Sequence, residues 1–329
     1  MGLPDVTKPR LLARRAALIN NIFGASTLPA TLPTTVTEDW GGRTKPTGCN
    51  RLDRLQITVH RGGLMECDLL HPSARAINRL LVFHAGHWES YTAAGTDSKV
   101  TVEYFLARGF HVLCACMPAS GINPSPYNIT IAGVPTEYTG HNDMGPAVDA
   151  DGGSSARVFL ESALFGLNHS IAELDPEHVY MCGISGGGWS TTMLAAMDTR
   201  IEWSCDVFGS VPLSMRPPGD GGDYEQTITP PWMSVLSPGD SGRSGFERLY
   251  ELGAFEGRRR MQILGSNEAV FPIATVLSQV DAYMLENRRT LRHAYGTISF
   301  LNDTVATAHA YNDTIRAAML ADIAEMHPF

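Results

Sequence analysis

No stretch of this chain strings together the roughly 18–20 apolar residues that a bilayer span needs, so no membrane helix is expected. Basic charge is scarce as well. Lys and Arg number 25 against 34 Asp and Glu, a formal net charge of −9. The one basic triplet, Arg258–Arg260, reads as a solvated segment ahead of a strand. Nucleic acid is therefore not an expected partner. Cys49, Cys67, Cys114, Cys116, Cys182 and Cys205 include no C-x-x-C pair. Four of them fall in apolar, strand-like runs, where a thiol serves as a small hydrophobe, so reduced structural thiols are expected. "HNDMG" (141–145) and "DADGG" (149–153) offer oxygen and nitrogen ligands, but "DADGG" lacks the twelve-residue spacing of a calcium loop and H-E-x-x-H is missing, so both read as parts of a turn-rich loop. Neither a metal nor a cofactor is expected. The N-terminal "MGLPDVTKPRLLARRAALINNIFG" has arginines where a secretory signal would have a continuous apolar core. A cytoplasmic location is the expectation that follows.

What the chain does have is a globular composition, 43% hydrophobic and 18% charged over 329 residues. Residues 10–24 read as a helix, and 25–50, rich in Thr, Pro and Gly, as an arm; together 1–50 precede a main domain at 51–329. "RLQITVH" alternates Leu55, Ile57 and Val59 with polar neighbours, and "LMECDLL" follows a glycine turn, so the domain opens on an antiparallel hairpin. The runs at 79–83, 110–117, 178–182, 202–208, 260–264 and 297–301 are short and almost continuously apolar. Such runs suit strands buried on both faces of a parallel sheet. Helix-like segments at 98–108, 156–172, 188–197, 273–290 and 308–325 lie between or after them. The pattern predicts an α/β fold with a mostly parallel sheet covered on both sides. Two turn-rich connections, 118–155 and 211–257, follow strands and should emerge at the carboxyl edge of the sheet, where ligands bind.

"YMCGISGGGWSTT" (180–192) places Ser185 between a strand and a helix, with glycines where side chains would collide across a tight turn. That is the context of a nucleophile elbow, in which the serine hydroxyl stands above the sheet. The hydroxyl needs a base. His309 arrives by a loop after the last strand, whereas His293 sits in an arginine-rich helix end and His327 at the C-terminus. An acid should follow the penultimate strand, and Glu268 in "GSNEAVFP" does; Asp206 and Asp303 are its rivals. The "HAGH" loop (84–87) offers one backbone N–H from Gly86 or His87, and the elbow another from Gly186, for an oxyanion. His84 itself reads as a packed histidine. The aromatic and polar groups near the loops, Trp88, Tyr138, His141, Trp189, Asp223, Tyr224 and Trp232, are candidates to line a substrate pocket.

The "HAGH" loop, the "GISGG" elbow, the "GSNEAVFP" turn and "ATAH" before the last helix stand in one order. In this the chain resembles the α/β-hydrolase superfamily, over roughly residues 51–329. The wider "GISGGGWSTTMLAAMDTRI" is similar to bacterial esterases and acyl-peptidases. The resemblance implies Ser185 as nucleophile, Glu268 as acid and His309 as base. It departs from the family where "HAGH" replaces a His-Gly start and glutamate replaces aspartate. The expected activity is hydrolysis of carboxylic esters through an acyl-enzyme, on a small-molecule or carbohydrate ester. The alternatives are a peptidase or amidase with the same triad, and a non-catalytic binding protein of the same fold.

Overall fold

The computed structural model describes residues 7–87, 90–211, 224, 246–270, 273, 278, 282 and 296–329. Along the chain, α1 (Lys8–Phe23) leads to β1 (Thr35–Thr37), β2 (Cys49–Thr58), β3 (Leu64–Pro72) and β4 (Arg79–His84). Then come α2 (Asp97–Leu106), β5 (His111–Ala115), β6 (Tyr127–Ile131), β7 (Val134–Tyr138), α3 (His141–Ala150) and α4 (Ser155–Leu174). The remaining elements are β8 (His178–Ile184), α5 (Gly186–Met197), β9 (Trp203–Val207), α6 (Phe246–Ala254), β10 (Arg259–Gly265), β11 (Thr297–Asp303) and α7 (Asp313–Met326). One sheet runs in the order β1-β2-β3-β5-β4-β8-β9-β10-β11. The pairs from β5 through β4, β8, β9 and β10 to β11 are parallel. β2 and β3 form the antiparallel entry, and β3 pairs antiparallel with β5.

Continuous apolar strands are stable only if both faces are covered, and they are. Leu80 and Val82 of β4 join one core cluster with residues of α1, α4, α5 and α6. Leu81 and Phe83 join the other, with residues of α2 and α7. The parallel register brings the carboxyl ends of the strands to one edge. His84 is level with Gly183, Gly183 with Asp206, and Gly265 with Asp303. Loops carrying Gly86, Ser185, Glu268 and His309 all leave from that edge.

The arm is tied down. Gly24 ends α1 in the left-handed region (φ 69°), its N–H donating to Asn20 O at 2.8 Å. β1 adds to the outer edge of β2, and the guanidinium groups of Arg43 and Arg54 lie 4.9 and 4.5 Å from the Trp40 ring centre. All six cysteines are free thiols, five of them buried. Among the described residues no helix is long and apolar enough to cross a membrane.

Residues 118–155 differ from the irregular connection expected of them. β6 and β7 form a separate hairpin, and α3 follows directly. The two residues between the strands, Ala132 and Gly133, both have positive φ (50° and 79°), the geometry that a two-residue hairpin turn requires. The second connection also contains structure, α6 at its end. The rest of 211–257, apart from Val211, Tyr224 and residues 255–257, lies outside the described residues, as does most of the helix expected at 273–290.

Candidate active site

β8 ends at Ile184 and α5 begins at Gly186, so Ser185 must turn the chain alone. It does so at φ 56°, ψ −128°, a conformation that costs a non-glycine residue about 1–3 kcal/mol. The surroundings hold it there. Its N–H donates to Val207 O at 3.0 Å, and its carbonyl accepts the Trp189 N–H at 3.0 Å. Glycine is required around it by close approach. A Cβ on Gly183 would lie 2.3 Å from Gly187 O, and one on Gly187 would lie 2.1 Å from His84 O. The loop after β4 is thus pressed against the elbow. A Cβ on Gly86 would come within 2.8 Å of Ser185 Cβ, and one on Gly186 within 2.4 Å of His87 Cε1. The α5 N-terminus opens directly at Ser185 and favours negative charge developing there.

His309 and Glu268 meet from adjacent strands. Glu268 follows β10 and is 2% exposed; its Oε2 lies 2.7 Å from His309 Nδ1. Its Oε1 accepts the Val270 N–H at 3.0 Å, which fixes the carboxylate plane. Phe208, just past β9, packs its ring 5.9 Å from the His309 ring. Gly209 abuts the elbow, since a Cβ there would lie 2.3 Å from Ser185 O. Serine, histidine and glutamate loops therefore share the ground around Phe208 and Gly209.

The rival carboxylates have other partners. Asp206 is fully buried and accepts from Gly209 N–H (2.9 Å), Thr192 Oγ1 (3.2 Å), Ser210 Oγ and Arg260 Nη2 (3.3 Å). Burial pushes its carboxyl up, and Arg260 with these donors opposes that shift. Asp303 accepts from Val305 N–H (2.8 Å), Ala306 N–H (3.0 Å) and Asn312 Nδ2 (2.5 Å). It shapes the turn that delivers His309. His84 is fully buried, donates from Nδ1 to Ala85 O at 2.9 Å, and is held down to about 4 by burial, so it is neutral at pH 7.

Beside the elbow lies a cavity of about 510 Å³ lined by His87, Ala119, Ser120, Gly121, Thr139, Gly140, His141, Asn142 and Asp143. His87 belongs both to this cavity and to the contact with Gly186. The His87 and His141 rings are 4.8 Å apart, and His141 Nε2 donates to Pro118 O at 2.6 Å. Of the expected pocket residues, His141 lines the cavity and Tyr138 immediately precedes its wall. Trp189 does not face it. That ring is fully buried in the core and packs against Phe159, because its position on α5 points inward. Tyr224 packs behind the wall on α3, donating from its hydroxyl to Asp149 Oδ2 at 2.6 Å and from its N–H to Asn142 Oδ1 at 2.8 Å. Asp149 also caps α4 by accepting the Ser155 N–H at 2.8 Å. Trp88, Asp223 and Trp232 lie outside the described residues. Sequence reasoning missed Ser120, in the loop after β5, and Asn142 and Asp143, in the first turn of α3; their place in the connection that leaves the carboxyl edge after β5 was the available signal.

No family model and no curated protein matches this chain. Solved structures do. A methylesterase superposes with a TM-score of 0.65 at 15% identity over 97% of this chain, which spans 65% of the methylesterase's length. Acetyl xylan esterase 1 from a Thermoanaerobacterium species gives 0.59 at 15% identity, covering 98% of this chain and all of that one. An acylaminoacyl peptidase from Pyrococcus horikoshii gives 0.52 at 10% identity, over 83% of this chain and 41% of its own. Likeness at these identities is a likeness of fold. The chain has the α/β-hydrolase fold.

Proposed function

We propose that the protein is a serine hydrolase of carboxylic esters, with Ser185, His309 and Glu268 as its triad. The observation that carries this is the 2.7 Å contact between Glu268 Oε2 and His309 Nδ1 beside a serine held at a strained strand-to-helix turn. In the reaction, Ser185 Oγ forms a bond to the ester carbonyl carbon as its proton passes to His309 Nε2. Glu268 accepts the Nδ1–H, keeps Nε2 available as the acceptor and stabilises the imidazolium. The carbonyl electrons move onto oxygen, which takes N–H donors from Gly186 and from Gly86 or His87; each such donor contributes about 3–4 kcal/mol in the transition state. Collapse expels the alkoxide, which takes the proton from His309. Water then gives a proton to His309 and attacks the acyl carbon, and Ser185 leaves with that proton restored.

Polar side chains in the cavity wall favour a hydroxyl-rich substrate. Ser120, Thr139, His141, Asn142 and Asp143 offer donors and acceptors suited to a sugar ester. The esterases whose fold this chain shares include one named for acetyl xylan, which agrees with that reading. A hydrolysis screen of acetylated sugars, feruloyl esters, long-chain lipid esters and amides tests it. Acetylated sugars should give the highest kcat/KM; preference for long-chain esters or for amides would refute the substrate class.

A further inference from the structure

The opposite edge of the sheet carries a second cluster of chemistry-bearing side chains. His178 opens β8, Glu202 immediately precedes β9, and His327 follows α7. Their backbones are fixed. The Glu202 N–H donates to Val179 O and its carbonyl accepts the Arg259 N–H, both at 2.9 Å. Arg79 clamps the tail that carries His327, donating from Nη1 to His327 O and from Nη2 to Pro328 O, each at 2.8 Å.

Glu202 Oε2 lies 3.0 Å from His178 Nδ1 and 3.4 Å from His327 Nε2, and the three atoms all fall within 4.8 Å of one another. A tetrahedral zinc with bonds of about 2.0–2.1 Å has ligand-to-ligand edges of about 3.3–3.4 Å, which those two separations bracket. The far nitrogens also face groups that orient metal-bound histidines. Tyr180 Oη is 3.0 Å from His327 Nδ1, and a Glu177 carboxylate oxygen is 3.9 Å from His178 Nε2. The three side chains are 18–32% exposed, open to an ion from solvent.

The geometry points to a zinc site formed by His178, Glu202 and His327, with water in the fourth position. Two imidazoles and one carboxylate match a borderline cation and not magnesium or calcium, which take oxygen ligands. The two rings are stacked 3.6 Å apart and 10° from parallel, so one must turn before both lone pairs meet one ion. The seven residues of β8 put the site about 20 Å from Ser185 at roughly 3.3 Å per residue. Its role is therefore to staple the segment after α7 to the β8 and β9 ends, and it stands independently of the esterase reading.

Calorimetric titration of the chelator-treated protein with zinc chloride at pH 7.5, together with thermal unfolding, tests the site. One ion should bind per chain, and zinc at 100 times its Kd should raise Tm by about 4 °C, with magnesium chloride giving no rise. His178→Ala, Glu202→Gln and the milder His327→Gln should each weaken zinc at least tenfold. Absence of uptake, uptake unchanged in all three variants, or an equal response to magnesium would overturn the proposal.

Discussion

Replacing Glu268 with glutamine changes one atom and leaves the amide a single orientation. Oε1 accepts the Val270 N–H at 3.0 Å, and only the amide oxygen can keep that bond. The NH2 group must then face His309 Nδ1, 2.7 Å away from Oε2 in the parent. It can meet Nδ1 only as a lone pair, so the ring proton moves to Nε2, the atom that should accept from Ser185. The variant also loses the charge that balances the imidazolium, an interaction of about 4 kcal/mol for charges about 4 Å apart at an effective dielectric constant of 20. Wrong tautomer and lost charge together should lower kcat by about 10³–10⁴, or about 4–5.5 kcal/mol of transition-state stabilisation. KM for p-nitrophenyl acetate should change little, and urea unfolding should show a retained fold. A kcat within tenfold of the parent, in a folded variant, would refute Glu268 as the acid and return the choice to Asp206 and Asp303.

Gly86→Ala puts a methyl 2.8 Å from Ser185 Cβ and 2.9 Å from Ile184 O, so the loop or the elbow must shift. It should cost about 1–3 kcal/mol in urea unfolding and about 10²-fold in kcat; parent-like values for both would contradict the docking of this loop. Acid should destabilise the fold through His84, whose fully buried imidazole is held down to about 4. Below its ordinary value near 6.5 the unfolded chain binds the proton and the folded chain does not, so stability falls as pH drops from about 6.5 to about 4 and then levels. His84 contributes a loss of about 3 kcal/mol over that window. Unfolding free energy that stays flat from pH 6.5 to 4 would refute a buried neutral His84.

Most of the sheet was legible because its signal is local. "RLLVF" and "HVYMC" become β4 and β8 with boundaries moved by one or two residues, since a run apolar on both faces has few other ways to bury itself. The β6–β7 hairpin was not legible. β6 (YNITI) alternates, but over five residues only, β7 (VPTEY) does not and has Pro135 inside it, and the turn residue Ala132 carries no sequence mark of its positive φ. Trp189 illustrates a second limit. Proximity to Ser185 along the chain suggested the pocket, yet one helical turn directs the ring toward Phe159 in the core. The carboxylates show a third. Glu268 just past β10, Asp206 near the end of β9 and Asp303 at the end of β11 all lie towards the carboxyl edge, and their partners in space, His309 for one and Arg260 for another, distinguish them.

Ser185 as the nucleophile is the step on which the proposed reaction depends. Intact-mass analysis after exposure to a fluorophosphonate, followed by peptide mapping, measures this directly. One adduct per chain should form on the peptide containing Ser185, and Ser185→Ala should form none. An adduct on another residue, or undiminished labelling of Ser185→Ala, would contradict Ser185 as the nucleophile.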